Sequence, residues 1–240
     1  MHTGHVSYSD GDITCDGYVA SGVSPGQVAP VVLVCHAWAG QDDFARARAD
    51  ELARLGYVGF AVDVYGKGRR GGTAEQNSAL MTPFVQDRAM LQRRLLAAVR
   101  AAQQLPGADA QRVAAIGFCF GGLCALDIAR AGAPGVRAVV AFHGLFTPPV
   151  ALGPQPKIAA SVLCLHGYDD PMCTPDQVVA FAKEMTFAEA DWEIDMYGHT
   201  VHAFTNPQAN DPKFGTVFKQ KASDRAFAKM RLFLADALGR

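Results

Sequence analysis

A chain of 240 residues, half of them hydrophobic and about a fifth charged, holds enough apolar material for a sizeable core and is far from a disordered composition. Its 22 Lys and Arg against 23 Asp and Glu leave a formal charge of −1 with no basic stripe, which argues against a nucleic-acid partner. The first ten residues lack a cationic start followed by an apolar run, and no stretch of about 18 apolar residues occurs, so neither a signal peptide nor a membrane span is expected.

The expectation is therefore one cytoplasmic domain over residues 1–240, a monomer or small homo-oligomer. Six cysteines, Cys15, Cys35, Cys119, Cys124, Cys164 and Cys173, are scattered without C-x-x-C spacing, the pattern of reduced and mostly buried thiols.

In chain order, residues 5–20 alternate polar and apolar around Asp10-Gly11-Asp12, which predicts an antiparallel hairpin at a sheet edge. Val31 to Cys35 is a continuous apolar run, the mark of a strand buried on both faces of a parallel sheet. Phe44, Ala47, Leu52 and Leu55 then recur at near-helical spacing before Gly56, predicting a helix over 42–55 and a strand over 57–63. Residues 64–72, rich in glycine and cations, read as a mobile loop.

Thr73-x-x-Gln76 caps a single long helix predicted to run to about Gln104. A strand over 112–116 and a helix over 121–131 follow, then strands over 136–142 and 161–165 flanking a Pro-rich loop at 147–156. Thr174-Pro175-x-Gln177 starts a helix to Met185, residues 192–197 form the last strand, and residues 222–238 a closing amphipathic helix. Repeated strand–helix alternation after the hairpin predicts an α/β fold, a mostly parallel central sheet with helices on both faces.

Gly117-Phe118-Cys119-Phe120-Gly121-Gly122 lies between a predicted strand and helix and fits the G-x-S-x-G nucleophile elbow, with Cys119 in the serine position. The glycines suit a turn too tight for side chains, and the helix amino end favours an anionic sulfur. In an α/β-hydrolase fold an acid and then a histidine follow the nucleophile. His166-Gly167-Tyr168-Asp169-Asp170 follows a strand and supplies the acid, Asp170 ahead of Asp169, and His199 or His202, in the loop after the last strand, supplies the base.

On these residues, with His202-Ala203-Phe204-Thr205-Asn206-Pro207, the chain resembles the dienelactone hydrolase family over nearly its whole length. The resemblance implies a Cys119–His202–Asp170 triad, since the His-Ala-Phe signature falls on His202, and leaves His199 at the rim. It also implies an oxyanion hole formed by the backbone N–H groups of Phe120 and of Trp38 in His36-Ala37-Trp38-Ala39-Gly40. The expected pocket adds His36, Ala37, His143, His199 and Phe204 to Trp38.

The chain departs from many relatives at Ala37, where they carry glutamate, and at Asn206, where dienelactone-specific relatives carry a carboxylate-binding arginine. The expected activity is hydrolysis of small carboxylic esters or lactones through a thioester intermediate, with no cofactor and no metal. The alternatives are turnover of true dienelactone, thioesters or phosphotriesters, or ligand binding with weak turnover; a redox role for Cys119 and Cys124 is a poorer fit.

Overall fold

A computed structural model of the protein describes residues 1–153 and 156–239. Its elements run β1 (His2–Asp10), β2 (Ile13–Ser21), β3 (Ala29–Cys35), α1 (Asp43–Arg54), β4 (Val58–Ala61), α2 (Ala74–Gln86), α3 (Arg88–Gln103), β5 (Ala108–Phe118) and α4 (Phe120–Arg130). There follow β6 (Val136–Phe142), β7 (Ser161–Gly167), α5 (Pro175–Phe187), β8 (Trp192–Tyr197), the short β9 (Asn210–Asp211) and β10 (Thr216–Val217), and α6 (Gln220–Ala237).

The main sheet has the order β1-β2-β4-β3-β5-β6-β7-β8. The β1–β2 hairpin joins it antiparallel, through Tyr18↔Ala61 and its neighbours, while β4-β3-β5-β6-β7-β8 is parallel throughout. This is the arrangement of the α/β-hydrolase fold.

The continuous apolar runs are explained by period-two alternation between two buried faces. Along β3, Val31, Leu33 and Cys35 belong to one buried cluster with Leu91 of α3, Leu126 of α4 and Phe181 of α5, whereas Val32 and Val34 belong to a second with Leu52 of α1 and Met230 of α6. Every residue of α4 is buried, so the helix that starts at Cys119 is gripped along its whole length. Beneath it, Asp127 takes Arg88 of α3 and Arg130 of its own helix, and Arg130 reaches Glu184 of α5 at 2.8 Å, tying three helices together.

The single helix expected from Thr73 to Gln104 is in fact two helices. Pro83 removes a backbone donor in the last turns of α2, and Asp87 leaves helical geometry (φ −111°, ψ 87°) to cap α3 by accepting from the Met90 N–H at 2.8 Å. The segment 64–72 is anchored rather than loose: Val64 and Tyr65 are buried, and Arg70 donates to the Gln41 carbonyl at 2.6 Å and to the buried Asp63 at 3.3 Å. Of the Pro-rich loop, residues 154 and 155 lie outside the described residues. No helix among the described residues is long and apolar enough to cross a membrane.

Candidate active site

The turn from β5 into α4 places Cys119 at φ 57°, ψ −117°, a conformation costly for any residue with a side chain. Two glycines make it feasible. A Cβ on Gly117 would collide with the Gly121 carbonyl, and one on Gly121 with the Cys35 carbonyl of β3, so the turn can press against the sheet only with hydrogen at both positions. The Cys119 N–H is shared between the Phe142 carbonyl (3.1 Å) and Nδ1 of His143 (3.2 Å), both at the carboxyl end of β6.

The candidate acid, Asp170, follows the end of β7. There the backbone turns so that the Asp170 N–H donates to the Gly167 carbonyl at 3.2 Å, burying Asp170 and leaving Asp169 exposed. One carboxylate oxygen of Asp170 accepts from the Met172 N–H at 2.8 Å, and the other meets Nδ1 of His202 at 2.7 Å.

His202 sits after β8 in a segment pinned by β10. Its N–H donates to Gly215 (3.0 Å), its carbonyl accepts from Val217 (3.2 Å), and Ala203 beside it takes φ 56°. The imidazole is buried, and Nε2 has no hydrogen-bond partner among the described residues. Burial opposes a charge on this ring, but the neighbouring Cys119 sulfur and the Asp170 carboxylate outweigh it and push the pKa up to about 10. The sulfur is the strongest of the influences that favour the charged ring.

Cys119 and His202 open into a cavity of about 280 Å3, walled by Trp38, Phe44, Met81, Phe118, Leu145, Met172 and Phe214. Larger depressions elsewhere, of about 480 and 550 Å3, contain neither group. Trp38 stacks on Phe214 with centroids 5.8 Å apart. The Phe120 N–H opens α4 without an intrahelical acceptor, as the first donors of any helix do, and the Trp38 N–H makes no backbone hydrogen bond to the described residues.

Of the expected pocket residues, Ala37, Trp38 and His143 line this cavity. His36 does not: it is buried beneath the loop, with Nδ1 at 2.7 Å from the Ala37 carbonyl and Nε2 accepting from the Val64 N–H at 3.2 Å. Phe204 is wholly buried in the α1/α6 core, and His199 is exposed on the surface with its carbonyl held by Lys219. The sequence reading missed Thr205, Phe214 and Asp42. Thr205 lay inside the quoted His-Ala-Phe run, but Phe214 and Asp42 are brought to the cavity only by the tertiary fold. Among the described residues no group of three His, Cys, Asp or Glu is arranged to hold a metal ion.

The glycine elbow, Asp170 after β7 and His202 after β8 follow one another along the chain, and the chain matches the dienelactone hydrolase family over residues 15–238. It belongs to that family. The crystal structure of a dienelactone hydrolase-like promiscuous phosphotriesterase from metagenomic libraries is similar with a TM-score of 0.92 and 34% identity, covering 98% of each chain. A Caenorhabditis elegans protein is 35% identical over 148 residues, 61% of this chain and 94% of its own length. A Bradyrhizobium protein named as a probable 2-oxo-3-(5-oxofuran-2-ylidene)propanoate lactonase is 27% identical over 195 residues, 78% of this chain and 77% of that one. This dienelactone hydrolase-family chain is accordingly a carboxylic ester hydrolase.

Proposed function

We propose that the protein hydrolyses small carboxylic esters or lactones with Cys119 as nucleophile, His202 as acid and base, and Asp170 as the group that orients His202. The observation that carries this reading is the buried 2.7 Å contact between His202 Nδ1 and Asp170, with Nε2 left unpartnered beside Cys119 on its strained turn.

The Cys119 thiolate attacks the ester carbonyl carbon, forming a C–S bond as the carbonyl π electrons move onto oxygen. The N–H groups of Phe120 and Trp38 receive that oxyanion. Collapse of the tetrahedral species breaks the C–O bond, and His202, charged at neutral pH because its pKa stands near 10, gives its Nε2 proton to the departing alkoxide. Neutral His202 then takes a proton from water as the water attacks the thioester; the C–S bond breaks, the acid leaves, and thiolate and imidazolium are restored. For a lactone the alcohol and acid are two ends of one product.

Replacing Cys119 with alanine tests the reading: release of nitrophenol from 4-nitrophenyl acetate should fall to the uncatalysed rate in a protein that remains folded. Turnover close to that of the unaltered protein contradicts it. The similarity to a phosphotriesterase supports a second reading, attack of the same sulfur on a neutral phosphotriester, and paraoxon given to the same pair of proteins checks it.

A further inference from the structure

The cavity that holds Cys119 and His202 is lined by no lysine or arginine among the described residues, while Asp42 stands at its rim. Resting on the ester-hydrolase reading, we infer that this site selects uncharged esters with a compact apolar or aryl group and turns away substrates that carry a carboxylate, with Asp42 setting the discrimination.

Three observations converge on this. The walls that would surround a bound ester are Trp38, Phe44, Phe214 and Leu145, which stabilise apolar surface and offer a carboxylate no cationic partner. The charge that His202 contributes is already opposed by Asp170 at 2.7 Å and by the Cys119 sulfur, so little of it is left for a substrate carboxylate. Asp42 is held in place: it precedes α1 as its N-cap, and one carboxylate oxygen accepts from the Ala45 N–H at 2.9 Å. Its negative charge is therefore a fixed feature of the entrance. At about 280 Å3 the cavity lies at the small end for ligand sites, which limits the acyl and alcohol parts to a few carbons or one ring.

The magnitude follows from Coulomb's law. Two like charges on opposite sides of so small a cavity repel by an amount equivalent to roughly three- to tenfold in kcat/KM when partly screened by water. Burying a carboxylate against apolar walls adds a further penalty, so the overall preference for the neutral substrate should be about tenfold or more.

The test compares two esters of matched length on the intact protein, 4-nitrophenyl butyrate and the mono-4-nitrophenyl ester of succinate. Asp42→Asn is the informative variant, because asparagine caps a helix about as well as aspartate while removing the charge. The neutral ester should be preferred by about tenfold or more, and Asp42→Asn should raise the anionic-to-neutral ratio of kcat/KM by roughly three- to tenfold. Added salt should narrow the gap for the unaltered protein and leave the variant's ratio nearly fixed. Equal turnover of both esters, or a ratio that Asp42→Asn does not move, overturns the inference. Failure of the parent reading looks different, since hydrolysis would then be absent for both esters or would persist after Cys119→Ala.

Discussion

The rings of His143 and His202 meet edge to face with centroids 5.0 Å apart, yet their surroundings drive them in opposite directions. Burial, then the charge on His202, holds His143 well below the usual imidazole range, whereas Cys119 and Asp170 carry His202 up to about 10 in spite of its burial. The hydrogen bonds also fix the tautomer of His143: Nδ1 accepts from the Cys119 N–H at 3.2 Å, so the proton resides on Nε2 and is donated to the Thr205 hydroxyl at 2.8 Å. Side-chain nitrogen NMR at pH 7 should find His143 neutral and protonated on Nε2, and His202 as an imidazolium. Cys119→Ala, which removes the sulfur acting on His202, should lower the pKa of that imidazolium. A neutral His202 at pH 7, or a charged His143, would contradict the assignment.

The same pair sets opposite limits on stability. The raised pKa of His202 contributes stability that is full below pH ~6.5 and is lost as pH climbs through about 10. For His143 the lowered pKa means that the unfolded chain binds the proton first, so stability declines as pH drops below ~6.5. Denaturant melts from pH 5 to 10 should therefore fall off on both sides, with the alkaline slope diminished in His202→Asn and the acid slope diminished in His143→Gln. Alkaline slopes that match in the unaltered protein and His202→Asn would show that the imidazolium is not stabilised as described.

Thiol reactivity should single out one cysteine. Cys15, Cys35, Cys124, Cys164 and Cys173 are buried, and burial pushes their thiols up, to about 11 for Cys15 and about 12 for Cys35 and Cys173. Cys119 alone of the six is partly exposed, at a helix amino end facing an open cavity. Iodoacetamide given to the folded protein at pH 7 should alkylate Cys119 well before any other site, as read by peptide mass mapping. Comparable labelling of a buried cysteine would count against this account.

The two neighbouring aspartates should behave very differently. Asp170→Asn replaces a charged acceptor with an amide and lets the imidazole turn to the wrong tautomer, so kcat should drop by about three to four orders of magnitude. Asp169→Asn alters an exposed carboxylate and should stay within about twofold of the unaltered enzyme. The reverse ranking in steady-state kinetics would transfer the acid role to Asp169.

The elbow can be probed through stability. Gly121→Ala drives a methyl group into the Cys35 carbonyl, a backbone atom that cannot give way without moving β3. The cost should be about 3 kcal/mol or more, with activity lost even where folding persists. A chemical-denaturation midpoint matching the unaltered protein would show that the turn is looser than its geometry indicates.

How much of this was legible beforehand depends on the kind of signal. Runs such as Val31–Cys35 and 138–142 announce doubly buried strands because each alternate residue needs its own apolar face, and they fixed the sheet correctly. The elbow turn was legible because it depends on local spacing, and the fold brings the segments of Cys119, Asp170 and His202 together. The break at Asp87 was not, since apolar periodicity continues through it, although Pro83 and the capping aspartate were the physical clues. Proximity in sequence misled at His36 and Phe204: both adjoin site residues, but they turn toward the interior. Asp42 and Phe214 reach the cavity from loops far apart in the chain, and β9 and β10 are too short to show any periodicity.

The central claim is that a sulfur–acyl bond forms at Cys119 during turnover. Mixing the enzyme with 4-nitrophenyl acetate, quenching in acid within the first turnovers and digesting should yield the peptide containing Cys119 heavier by one acetyl group, with the adduct removed by hydroxylamine as a thioester. The same adduct should be absent in Cys119→Ala. An acetyl group found on another residue, or steady nitrophenol release with no adduct on Cys119 at any quench time, would contradict the account.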